Sequence, residues 1–417
     1  MLKKWITVCI VLSFLVLSYP SISIDVGKQH SHLRKNVIIV DNEGDGDYTS
    51  IKEALNNTNP GDTIEIYSGI YYEYDILITI PVTIIGIPQE LGEGNDTGKP
   101  IIKQLLPMNQ TYFLLYILSD FVTVGGCRVQ GYDESDYCGQ GIYLKNSDQC
   151  FIFNNDFMDM SIGICIWNSH FFVIENNTIT NVRYAGICLE PSSNENIIRN
   201  NTISRVVQNG IDIRIYGGEE FYNCSIVNNR ISTCYVNGIV ANGRGSIINK
   251  NVIKDCSSAG IESGCFDTIT QNQISNCRNG IQIICNNNAL KENLIVDCYI
   301  GMKILCQGEN TSIDNNEIAT SAIGMNIDEP DIRMITITRN NFIQNDVPVL
   351  FTVINPLRSN YIWKNNYWGK PMNRPKPLLG FGIIFSLSRD LFFALPVPWV
   401  CFDLHPAQES YDIPVII

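Results

Sequence analysis

Histidine is scarce. The 417 residues hold 4 of them, His30, His32, His170 and His405, so chemistry built on imidazole has little material. Positive charge is also short: 29 Lys and Arg stand against 42 Asp and Glu, for a formal net charge of -13 and a pI near 4.8. The basic residues form no cluster, which excludes nucleic acid as a partner, because phosphate binding needs one. Helical periodicity is missing as well, with no ten-residue stretch of period 3.6 in the body of the chain. Long apolar runs are few. One, Trp5 to Leu17, follows Lys3 and Lys4 and precedes small residues around Ser21 and Ser23; it is short for a membrane span and reads as a secretory signal over residues 1–24. The expected mature protein is exported, secreted or at the cell surface. A second run, 378–402, is broken by Arg389-Asp390, Pro396 and Pro398, so a C-terminal cap is favoured over membrane contact.

What is present suits a folded chain: 45% hydrophobic residues and 10% aromatics against 17% charged supply a large core. The chain also repeats itself. An asparagine recurs as Asn155, Asn177, Asn201, Asn229, Asn251, Asn272, Asn293, Asn316, Asn341 and Asn366, at intervals of 21 to 28 residues. From Asn155 to Asn316 a Gly-Ile or Gly-Met pair follows eight or nine residues later, as at Gly163, Gly186, Gly210 and Gly260. Within Gly-Ile-x-Ile-x the apolar residues alternate, which marks a strand with one buried face. Each unit is thus two or three short strands joined by turns, and successive units stack in parallel about 4.8 Å apart. Identical residues then form ladders. Asparagine suits a left-handed turn position and can bond to the copies above and below. Cys234, Cys256, Cys277 and Cys298, and likewise Cys265, Cys285 and Cys306, recur in phase and read as packing ladders rather than disulfides.

At the N-terminal end, 37-VIIVDNEGDGDYTSIKEALNNTNPGDTIEIYSGIYYE-73 reads as strand, short helix, strand. Ser50-x-x-Glu53 forms a capping box, and Pro60-Gly61 ends the helix. These residues, with the Asn-Asn-x-Ile repeats through 365-NNYWG-369, resemble the right-handed parallel β-helix proteins of the pectin-lyase-like superfamily, and more narrowly the NosD-type group of carbohydrate-binding proteins and sugar hydrolases. The resemblance implies an all-β fold: a right-handed, single-stranded parallel β-helix, or solenoid, with an N-terminal helical cap and a divergent C-terminal cap. The expected divisions are 37–100 for the N-terminal cap and first coils, 101–369 for the repeats and 370–417 for the C-terminal cap and tail.

Outward positions two and four after each glycine should form two parallel rows. Asp212 and Glu262 lie in the first, with Cys165 and Cys188; Trp167, Glu190 and Arg214 lie in the second. The extra residues 215-IYGGEEFYN-223 sit beside Asp212, and insertions in solenoids collect on the binding face. Trp167, Arg214, Tyr216, Glu219, Tyr222 and Glu262 are therefore the candidate substrate-binding residues, with aromatics for sugar faces and charges for hydroxyls or uronates. Glu190 and Asp212, on adjacent rungs and about 8 Å apart from strand spacing, are the candidate catalytic pair for glycoside hydrolysis by inversion. The motifs Gly-His-Gly, Asn-Thr-Asp and Asp-Asp, which the resemblance to polygalacturonase-like hydrolases would imply, are absent, as are Arg-x-Pro-x-x-Arg and Asp-Pro-His-Asp. Enzyme status stays open, with glycan binding ahead of hydrolysis or lyase action and of a structural or adhesive role. Asp41-x-Glu43-x-Asp45-Gly46 imitates a calcium loop, but Lys52 stands where the bidentate acid belongs, so a turn is expected. Cys165 and Cys188 could be bridged by a soft ion, but no histidine or methionine beside them is evident, and no metal or cofactor is assigned.

Overall fold

The computed structural model describes residues 36–104, 113–131, 139–190, 192–213, 223–306, 309–328, 334–354, 361–388 and 391–414; the signal-like residues 1–24 lie outside them. The alternating pattern produces a parallel β-solenoid. One wall is a 14-stranded sheet running from Val37–Val40 to Tyr361–Lys364, and its strands pair in parallel throughout. The remaining walls form a 24-stranded sheet. Isoleucines spaced by one unit meet in register: Ile203, Ile231, Ile253 and Ile274 are successive partners and all are buried. Their stacking removes one continuous apolar column from water, which no single unit could do alone.

The asparagine column is the polar counterpart. Asn155, Asn177, Asn201, Asn229, Asn251, Asn272, Asn293, Asn316, Asn340 and Asn366 are all buried. Along the column, each Oδ1 receives both the backbone N–H and the Nδ2–H of the asparagine one coil earlier, as at Asn251 (2.9 and 3.0 Å from Asn229). Its own Nδ2 donates back to a carbonyl such as Ile226 O at 2.9 Å. The column is directional, passing hydrogens toward the C-terminus, and it ends on Asp403, whose Oδ2 accepts Asn366 N and Nδ2 at 3.0 Å each. Two expectations need correction. The ladder member is Asn340, not Asn341, which instead binds the backbone of Tyr411. The left-handed residue is the one before the ladder asparagine, for example Asn154, Asn176, Asn200 and Lys250 at φ 53, 55, 57 and 54°, so the ladder asparagine itself is free to point inward.

The glycines answer a packing need rather than a turn. A Cβ on Gly186, Gly210 or Gly260 would lie 2.6–2.7 Å from the carbonyl oxygen of the glycine one coil later. The interior thiols behave as expected of small hydrophobes: Val182, Val206, Cys234 and Cys256 are successive register partners, so sulfur continues a valine column. Cys265 and Cys285 depart from the expectation and form a disulfide between consecutive coils. They lie at or beyond the ends of their strands and are only half-buried, where the pleat no longer dictates side-chain direction. Cys306, one coil on, donates to the Cys285 carbonyl at 2.8 Å.

The helix predicted after Ser50 is present as Ile51–Asn56, with Ser50 Oγ accepting from Glu53 N. Glu73 completes the helix start by accepting from Ile51 N and Lys52 N at 2.7 and 3.0 Å. Ile51, Ala54 and Leu55 are buried against the first strands. The imitation calcium loop is a turn closed by Asp41 Oδ2, which accepts from Glu43, Gly44 and Asp45 N. Lys376–Ser388 and Leu391–Asp403 form an antiparallel hairpin whose first strand also pairs in parallel with Val347–Ile354. Among the described residues no helix is long and apolar enough to cross a membrane.

A second polar column contains an acid. Asp267 Oδ1 accepts Ser246 N at 2.8 Å, and Oδ2 accepts the Ser263 hydroxyl at 3.0 Å. Burial pushes its carboxyl up to about 7. An acid whose folded value is raised stabilises the fold fully below the unfolded value, near 4, and loses that contribution as pH rises through the folded value. Between about pH 4 and 7, stability should therefore fall by a few kcal/mol. Asp267→Asn should flatten this slope. The urea midpoint of the variant relative to wild type, followed from pH 5 to 8, should rise with pH, and a constant difference would refute the assignment.

Candidate functional site

The first of the two expected rows forms as the glycine spacing requires, and of the second Lys145 and Trp167 are register partners. Tyr143, Cys165, Cys188, Asp212, Val240, Glu262, Gln282 and Lys303 are successive register partners. This row is not an open face along its length: Tyr143, Cys165, Cys188, Asp212 and Val240 are all buried. Asp212 Oδ2 accepts from Asn209 Nδ2 at 2.7 Å. Glu190 is partly exposed, and its Oε1 accepts from Cys188 Sγ at 3.5 Å. Both oxygens of Glu262 are engaged at 3.1 Å, by Asn242 and Gln282. Trp167 is exposed, with Lys145 Nζ 4.9 Å from its ring centroid. Arg214, Tyr216, Glu219 and Tyr222 lie outside the described residues.

On the Tyr143 side the row is lined with aromatics. Phe113 stacks on Tyr143 with centroids 4.4 Å apart, and Tyr116 packs beside them. Burial pushes the Tyr143 phenol up. The Cys188 thiol is also pushed up, first by its hydrogen bond with Cys165, then by burial and by the nearby Cys165, Glu190 and Asp212.

The recessed surface that the sequence did not signal lies at another corner. A recess of about 500 Å³ is lined by Met160, Asn181, Val182, Arg183, Tyr184, Val207 and Gln208. A second, of about 340 Å³, shares Asn181 and Val207 with it and adds Arg205, Thr233, Tyr235 and Asp255. Tyr184 and Tyr235 are 51% and 73% exposed, and Tyr299 is 58% exposed. These side chains follow left-handed residues, Asn181, Arg205, Thr233 and Asp297 at φ 54–56°, which turn the chain outward at each coil. Tyr184 and Tyr235 thus stand two coils apart with Val207 and polar groups between them, an arrangement able to stack on and hydrogen-bond to a ligand longer than one rung.

Two family models match the chain. One, described as right handed beta helix region, covers residues 115–266; the other, described as periplasmic copper-binding protein (NosD), covers 219–374. No curated protein matches. Among solved structures, the mannuronan C-5 epimerase AlgE6 A-module of Azotobacter vinelandii is similar at TM-score 0.55 and 14% identity, over 74% of this chain and 91% of that one. XylC in complex with xylose is similar at 0.53 and 12%, over 78% and 85%. The catalytic unit of the GH87 alpha-1,3-glucanase of Streptomyces thermodiastaticus strain HF3-3 is similar at 0.52 and 14%, over 75% and 63%. At these identities the likeness is one of fold.

In the segment matched by the copper-named family the candidate donors are sulfur rather than imidazole. Residues 219–374 contain no histidine, and Cys256, Cys277 and Cys298 are buried thiols of the interior column, each pushed up by the hydrogen bond with the thiol one coil earlier and by burial. The stacked coils, the in-register ladders and the matched families together make this chain a right-handed parallel β-helix protein, with NosD-like sequence over residues 219–374.

Proposed function

We propose that this is an exported glycan-binding protein, and that the corner recess of Tyr184, Val207 and Tyr235 receives the sugar chain. The observation that carries this reading is the pair of exposed rings Tyr184 and Tyr235, two coils apart with Val207 on the coil between them, beside Asn181, Arg205 and Asp255. Rings lie flat against the apolar faces of pyranoses, and the polar groups take hydroxyls. The fold is shared with proteins whose names specify a xylose complex, a mannuronan epimerase and an alpha-1,3-glucanase, which fits a polysaccharide partner without fixing which one. Trp167, with Arg214, Tyr216, Glu219, Tyr222 and Glu262, would extend the surface along the outward rows. Export rests on the signal-like residues 1–24 and on a family described as periplasmic.

The test is affinity electrophoresis of the mature chain against a panel of neutral and uronate polysaccharides. Tyr184→Ala with Tyr235→Ala should weaken retention by roughly tenfold or more, since each ring covered by the sugar contributes about 1 kcal/mol. Phe266→Ala, also at an exposed position, should leave it unchanged. Equal retention of the double variant would end the proposal. Hydrolysis by Glu190 and Asp212 is the second reading, supported by the register that puts Cys188 beside Asp212 and hence Glu190 and Asp212 on consecutive rungs. New reducing ends that vanish with Asp212→Asn would carry it.

A further inference from the structure

We propose that Cys165, Cys188 and Glu190 form a site for one thiophilic divalent cation of the zinc class. Their ligand atoms lie within 4.8 Å of one another. Cys165 and Cys188 are direct register partners on neighbouring coils, so the backbone itself delivers two sulfurs to one place. Both are free thiols, 2% and 9% exposed, although they belong to the outward row rather than the core. Glu190, two residues beyond Cys188, hangs its Oε1 3.5 Å from the Cys188 sulfur and is the partly exposed member. It therefore closes the site on the solvent side and offers the route in.

The surroundings match a bound cation. The Phe113, Tyr116 and Tyr143 rings pack beside the two thiols, keeping water from one flank and lowering the local dielectric. On the other flank Asp212, the register partner of Cys188, adds a second carboxylate held by Asn209. Two thiols and a carboxylate brought together under cover are costly to ionise by themselves. A divalent ion reverses that cost. On binding, the metal takes both sulfurs as thiolates and one carboxylate oxygen, the two thiol protons pass to solvent, and a water fills the fourth tetrahedral position. The donor set selects the ion: thiolates disfavour calcium and magnesium, and an oxygen ligand in a three-donor set suits zinc better than copper(I). Around a tetrahedral ion with metal–sulfur distances of about 2.3 Å the sulfurs stand about 3.8 Å apart, a separation compatible with ligand atoms that already lie within 4.8 Å of one another. The site lies outside residues 219–374, where the copper-named family matches.

The test uses the full mature chain, reduced and stripped of metal, titrated with cobalt(II) as a coloured stand-in for zinc. Wild type should take up one equivalent with a thiolate-to-cobalt charge-transfer band, and zinc should bleach it. Cys165→Ser and Cys188→Ser should each abolish the band, Glu190→Gln should weaken binding by tenfold or more, and Cys277→Ser, in the interior column, should leave it intact. A readout on unmutated protein guards against misfolded variants: bound zinc should protect Cys165 and Cys188, and no other pair, from alkylation in peptide maps. The site is disproved if wild type shows no band, if either serine variant keeps it, if protection maps to the Cys234–Cys298 column, or if Cys165 and Cys188 are recovered as a disulfide that reductant does not open.

Discussion

Asn251→Ala should destabilise the coil by roughly 4 kcal/mol, at the top of the range for single substitutions. The amide occupies a site with no exposure, so water does not replace it. Its removal strips the acceptor from Asn229 N and Nδ2 and the donor from the Ile226 carbonyl, leaving three buried groups each costing about 1–3 kcal/mol, partly relieved by local adjustment. The Asn272 side-chain oxygen still receives Asn251 N at 3.0 Å, so the damage runs one way along the column. Asn251→Asp should be worse at neutral pH, because it sets a carboxylate against the Ile226 and Asn272 oxygens, and should recover partly on acidification. Urea unfolding reads the loss, and amide exchange of the flanking coils shows whether it stays local, as nearest-neighbour coupling in a solenoid requires. A loss under about 1 kcal/mol would mean that the column is ornamental to stability.

Gly260→Ala should be nearly as damaging, for a steric reason. The added methyl would stand 2.6 Å from Ile274 Cγ2 and 2.7 Å from the Gly280 carbonyl oxygen. Neither can retreat: one is a core methyl and the other is backbone fixed by the sheet. Overpacking of this kind costs about 3 kcal/mol, and valine should prevent folding. Gly98, at φ 92° with nothing within 4 Å of where a methyl would stand, provides the contrast. Alanine there pays only for the left-handed backbone, about 1–2 kcal/mol. Thermal melts of the two variants should separate them clearly, and equal shifts would refute the contact argument.

Most of the coil was legible because a parallel stack makes residues one unit apart into neighbours, so the period of the text is the geometry. The slip from Asn340 to Asn341 shows the limit of counting. Even spacing favoured Asn341, whereas the core partner decides: Phe342 pairs with Ile318, and the ladder asparagine lies two residues before each, at Asn340 and Asn316. The register of the first row was likewise legible from glycine, although its burial from Tyr143 to Val240 was not. The corner recess was not, because its rings keep no fixed distance from any repeated residue. Tyr184 comes two residues after Val182 while Tyr235 comes one after Cys234, although Val182, Val206 and Cys234 are in uniform register. The Cys265–Cys285 disulfide escaped for a similar reason, since strand geometry argues against bridging only while the cysteines are within strands.

The one-way traffic of hydrogens along the asparagine column has a consequence for solubility. A tube whose final amide still offered hydrogens would present a second molecule with a docking end identical to its own next coil, and such a head-to-tail contact never closes but grows into fibres. Asp403 receives from Asn366 on Oδ2 and turns Oδ1 to the His405 N–H; as a carboxylate it has nothing to hand on. Asp403 is itself buried, and the segment after it closes over the column, with Ala407 N donating to the Asn366 carbonyl, so the last rung ends under cover on an acceptor instead of offering an open edge.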